Sequence, residues 1–86
     1  MDIVKGIVVK AIAGRDNGNF FVVKEIAEEG YVLICDGSTR KLEKPKKKNV
    51  KHIRITRTVI DTDNITNKKL KMILRSFRDS ENESEV

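Results

Sequence analysis

The 86-residue chain holds one cysteine, one histidine, one proline and no tryptophan. A single cysteine excludes an internal disulfide framework, and with only one histidine beside it a Cys/His metal cage is excluded as well. Aromatic residues make up 5% of the chain, which leaves little surface for stacking unpaired bases. No apolar run approaches the ~20 residues a membrane-spanning helix needs, and Met1-Asp2-Ile3-Val4-Lys5 lacks the layout of a secretory leader. The expectation is a cytoplasmic protein with no membrane partner. Catalytic signals are equally scarce. The glycines follow no phosphate-loop spacing, and Asp61-Thr62-Asp63-Asn64 lacks the sixth-position glycine and twelfth-position glutamate of a calcium loop. Cys35 and His52 are the one soft pair, but Cys35 lies in the most apolar run, where a thiol is buried and inert. The sequence therefore predicts no enzyme, no cofactor and no metal site.

What is present in abundance is positive charge. Eighteen Lys/Arg against thirteen Asp/Glu give +5, and four of those acids (Asp79, Glu81, Glu83, Glu85) fall in the last eight residues. Residues 1–78 thus carry eighteen basic and nine acidic side chains, or +9. Between Arg40 and Arg57 nine basic residues face one acid, Glu43. That density points to a polyanion partner rather than to solubility alone.

Glycine and polar turns divide the first half into short apolar runs. Residues 6–13 read as a strand, Gly14-Arg15-Asp16-Asn17-Gly18-Asn19 as a turn, and Phe20–Ile26 as a second strand. Tyr31–Cys35 is a third strand, closed by Asp36-Gly37-Ser38. Arg40-Lys41-Leu42 fits a short fourth strand, Lys44–Asn49 a basic loop around Pro45, and Val50–Ile60 a fifth strand with a basic outer face. The runs are apolar on both faces, so another element must cover part of the sheet. Leu70, Ile73, Leu74 and Phe77 fall at i, i+3, i+4, i+7, one stripe of an amphipathic helix over 67–78 capped by Thr66 or Asn67. The fold class expected is mostly β, a small five-stranded SH3-like barrel with a C-terminal amphipathic helix. It forms one domain over 1–78, followed by a disordered acidic tail over 79–86.

The segment Gly6–Val23, strand then Gly14, polar turn, Gly18 and strand, resembles a KOW motif. Further features follow in the order found in large-subunit ribosomal proteins of the L-fourteen-e type: Val22-Val23, Tyr31-Val32-Leu33-Ile34, Asp36-Gly37, and Arg40-Lys41 through Asn49-Val50-Lys51-His52-Ile53. The L-twenty-seven-e type shares the first part. Leu42–His52 is closer still to small bacterial KOW-domain RNA-binding proteins. The resemblance covers roughly residues 5–55 and implies an SH3-like (KOW) barrel that binds structured RNA, ribosomal RNA of the large subunit above all. Against it stand a shorter chain than most of those ribosomal proteins and the acidic tail.

The expected partners are RNA and, on a ribosome, ribosomal proteins; the free chain is expected to be a monomer, cytoplasmic or ribosome-bound. The candidate RNA-binding residues are Arg15, Arg40, Lys41, Lys44, Lys46, Lys47, Lys48, Lys51, His52 and Arg54, with Gly14 and Gly18 letting the backbone approach a sugar–phosphate chain. Lys46, Lys47 and Lys48 are expected to be three exposed loop charges whose replacement leaves the fold intact. With so few aromatics, recognition of folded RNA by shape and backbone is favoured over reading unpaired bases. An SH3-like protein–protein module is the alternative, and double-stranded DNA shares the electrostatics.

Overall fold

A computed structural model describes the backbone of residues 2–84 and the side chains of residues 2–79. Five strands, β1 (Ile7–Ala11), β2 (Phe20–Ile26), β3 (Tyr31–Cys35), β4 (Lys46–Asn49) and β5 (Ile53–Val59), form one antiparallel sheet in the order β4-β3-β2-β1-β5. A single 3₁₀ turn, Val50–His52, joins β4 to β5, and helix α1 runs over Asn67–Ser84.

Alternation along β1 divides the apolar residues between two cores. Ile7, Val9 and Ala11 point to one face, where they cluster with Phe21, Val23, Val32, Ile34 and Ile53. Val8 points to the other. Register aligns Val8 with Val22 and Val22 with Cys35, a buried row across three strands. Leu70 and Leu74 of α1 cover that row, flanked by half-buried Phe20 and Phe77 whose ring centroids lie 5.9 Å apart. The helix is thus the cover that the two-sided apolar runs require. Thr66 caps it, its Oγ1 accepting from the Lys69 N–H at 3.1 Å.

Three expectations are corrected. The fourth strand is Lys46–Asn49, and Arg40-Lys41-Leu42 lies in the connection before it. The basic run 46–49 is therefore sheet rather than loop: Lys46, Lys47, Lys48 and Asn49 pair with Ile34, Leu33, Val32 and Tyr31. Lastly, α1 continues six residues past Arg78, so the backbone of 79–84 is helical where an irregular tail was expected. Glu85 and Val86 lie outside the described residues.

The start of α1 is fastened to the segment after β3. Asn67 accepts the Leu42 N–H through Oδ1 at 2.8 Å and donates through Nδ2 to Glu43 at 2.6 Å. Gly37 sits beneath the Asn67 carbonyl at φ +78°, where any Cβ would collide with that oxygen. Only glycine fits there.

Candidate nucleic-acid interface

The turn between β1 and β2 and the segment 40–48 meet at Asp16. This carboxylate is 6% exposed and accepts from Lys46 at 3.1 Å and Arg40 at 3.5 Å. Burial alone would raise its pKa, but the Lys46 hydrogen bond and the charges of Arg40, Lys46 and Lys48 outweigh it and hold the group below its ordinary value. Asp16 is thus an ionised post to which two of the predicted RNA-binding cations are tied.

Lys48 is not exposed. Its side chain points to the same face as its partner Val32, is 7% accessible, and donates to the Ala13 carbonyl at 3.1 Å. The lysine stem fills an apolar position while its head satisfies a backbone acceptor of the β1–β2 turn. Lys47 points the other way, pairing with Glu28 and lying 4.9 Å from the Tyr31 ring centroid. The expectation of three equivalent loop charges is therefore corrected. Lys48 is structural, Lys46 is half-buried against Asp16, and only Lys47 is largely open to solvent.

The Asp36 turn shapes the surface beside Asp16. Asp36 Oδ1 accepts from Ser38 N at 2.9 Å and Arg40 N at 2.8 Å, and its Oδ2 accepts from Thr39 Oγ1 at 2.9 Å. Between this turn and β4 lies a shallow cleft of about 460 Å3, lined by Ser38, Thr39, Arg40, Lys41, Lys44, Pro45 and Lys46. Four of the predicted cations converge there. Lys41 and Lys44 are exposed and have no ion-pair partner among the described residues. Arg40 carries a buried Nε with no hydrogen-bond partner. An anion entering the cleft meets two free ammonium groups and two cations that Asp16 only partly neutralises.

The other predicted residues lie elsewhere. Arg15 is exposed on the β1–β2 turn, Lys51 and His52 are exposed on the 3₁₀ turn, and Arg54 is exposed on β5 opposite Lys10. Gly14 and Gly18 sit at φ +77° and +91°, so the turn itself requires them. Cys35 is fully buried, and burial pushes its thiol pKa up to about 11, consistent with an inert packing role. Among the described residues, no cluster of His, Cys, Asp or Glu could hold a metal ion, and no helix is long and apolar enough to cross a membrane.

Sequence reasoning places Lys71, Arg75 and Arg78 on the helix but leaves them out of the candidate RNA-binding residues. Lys71, Arg75 and Arg78 line a second groove on the far side of the Asp36 turn. Their i, i+4, i+7 spacing, one residue out of step with the Leu70, Leu74, Phe77 stripe, is the signal that could have found them. Asp16 was missed because its partners lie 24 and 30 residues further along the chain.

The sheet order and the packed C-terminal helix define a small SH3-like fold. Among solved structures it is similar to a chain in the crystal structure of the MjSpt4:Spt5 complex in conformation B, with a TM-score of 0.52 and 22% identity. The match covers 71% of this chain and 42% of that one, so this chain spans less than half of its structural neighbour. At that identity the likeness concerns the fold alone. No protein-family model and no curated protein matches the sequence.

Proposed function

We propose that the chain is a non-catalytic RNA-binding module that holds the phosphate backbone of structured RNA in the basic cleft, on or near the ribosome. One observation carries the reading: Arg40, Lys41, Lys44 and Lys46 converge on one concave surface with Lys41 and Lys44 unpaired among the described residues. Such a surface gains affinity by displacing condensed counterions and requires no base contact. The shortage of aromatics supports backbone recognition, because Phe20 and Phe77 pack on each other and Tyr31 lies against Lys47. The KOW resemblance over residues 5–55 favours RNA over DNA and ribosomal RNA over other RNA.

Direct titration of an RNA hairpin, the equivalent DNA hairpin and a proline-rich peptide tests this, with Lys41→Glu/Lys44→Glu as the control. The expected result is salt-dependent hairpin binding that the double variant loses. Sedimentation of lysate on sucrose gradients at low and high salt then tests ribosome association. A second reading, a protein–protein module, draws on the two-protein complex containing the structural neighbour and on Ile26 and Met72, each more than half exposed. Peptide binding that ignores Lys41 and Lys44 would favour it.

A further inference from the structure

The cleft ends at Ser38 and Thr39, and the same two residues line the groove on the other side of the turn. That groove, about 240 Å3, lies between the start of β2, the Asp36 turn and α1. Lys71, Arg75 and Arg78 form its helical wall, while Phe20 and Leu74 supply its apolar lining. The three cations span ~10 Å of helix axis at 1.5 Å per residue. All three are exposed, and none has an ion-pair partner among the described residues. Asp36, the one acid among the described lining residues, already accepts three hydrogen bonds within its own turn. It shapes the groove, and its single carboxylate is outnumbered by the three cations of the helical wall. The helical wall is also held in place, because Asn67 bonds to Leu42 and Glu43 and its carbonyl rests over Gly37.

We propose that this groove is a second phosphate-backbone site, continuous with the cleft across Ser38 and Thr39, and that one structured RNA lies across both. The inference rests on the RNA-binding reading above and extends it to a helix that carries none of the predicted contacts. Arg75 and Arg78 present planar forks that grip a phosphate through two parallel hydrogen bonds, while Lys71 acts as a point charge. Phe20 is half-buried against Phe77, so the groove offers no free stacking platform. It suits a backbone rather than splayed bases.

The test uses the full chain and an RNA hairpin whose stem exceeds one helical turn, titrated by fluorescence anisotropy over a range of salt. The groove variant is Lys71→Ala/Arg75→Ala/Arg78→Ala, and the cleft variant is Lys41→Ala/Lys44→Ala. Alanine favours helix at exposed positions, and circular dichroism checks that each variant is folded. The groove variant is expected to lose on the order of tenfold or more in affinity at ~0.1 M salt. Its slope of log affinity against log salt should flatten by about 0.7–0.9 per lost contact, or about two to three units in all. Arg75→Lys alone should weaken binding while leaving the slope nearly unchanged, since the charge stays and the fork is lost. A groove variant that binds with wild-type affinity and slope, beside a weakened cleft variant, overturns this inference and leaves the RNA reading standing. Failure of the unaltered chain to bind the hairpin overturns both.

Discussion

Replacing Lys48 with methionine and doing the same to its neighbour Lys47 remove identical charges from adjacent residues of one strand. The two changes should nevertheless behave differently. Methionine keeps the apolar stem and fills irregular space well, so the packing loss at Lys48 is small. What disappears is a charged donor 3.1 Å from the Ala13 carbonyl and a cation beside Asp16, at a site 7% exposed. Hydrogen bonds involving a charged group are worth about 1.5–3 kcal/mol, and the Ala13 acceptor is left without its donor. For a domain of this size, 1 kcal/mol moves the melting temperature by about 4–8 °C, so Lys48→Met should melt on the order of 10 °C lower. Lys47→Met removes an exposed pair with Glu28, the kind worth ~0–1 kcal/mol, and should melt within at most about 8 °C of the parent and above Lys48→Met. Thermal melts followed by circular dichroism at pH 7 decide the matter. Equal melting temperatures for the two variants, or an unperturbed Lys48→Met, would refute the structural role. By the same reasoning, the triple change of Lys46, Lys47 and Lys48 to glutamate should unfold the domain, so it cannot isolate RNA binding.

Other predictions follow from the same framework. Asp16 has a lowered pKa, so its contribution is present above its unfolded value of ~3.9 and is lost as pH falls through the folded value. Urea midpoints should therefore drop on acidification below about pH 4, and Asp16→Asn should flatten that part of the profile while lowering stability at pH 7. Gly37→Ala should cost more than about 1 kcal/mol, through the left-handed backbone and the collision with the Asn67 carbonyl, and reduced helicity with the sheet retained would be the spectroscopic sign. Truncation after Arg78 removes Asp79, Glu81, Glu83 and Glu85, which follow the groove's last cation along the chain, and should tighten binding to arbitrary RNA more than to the true target, with a gain that shrinks as salt rises. Equal affinities for full-length and truncated chains at two salt concentrations would leave those residues without that role.

The legible parts of the fold were those with a local signature. β1, β2 and β3 announce themselves as glycine-bounded apolar runs, and α1 announces itself by a four-residue stripe. β4 gave no such signal. Lys46-Lys47-Lys48-Asn49 contains no apolar side chain, and its one buried position is filled by a lysine stem that only the folded sheet turns inward. Counting charge along the chain found the cations of the cleft because they are close in sequence. It could not find that Asp16 ties down two of them, nor that Arg75 and Thr39 line one groove. The first depends on a turn closing onto β4 and the second on Asn67 docking over Gly37.

Cys35 also gives the molecule a built-in clock. It is the sole thiol in the chain, fully buried in the cluster that Leu70 and Leu74 complete. Lifting α1 from the sheet removes Leu70 and Leu74 from over Cys35 and opens it to a sulfhydryl reagent, and once uncovered its pKa returns toward the free value of ~8.5. The labelling rate therefore counts helix departures, a local opening distinct from unfolding of the whole domain. An RNA gripping both the helical wall and the β3–β4 segment would have to let go of one before the helix could leave, so bound RNA should slow the clock. A ligand confined to the cleft would leave it running at its usual pace.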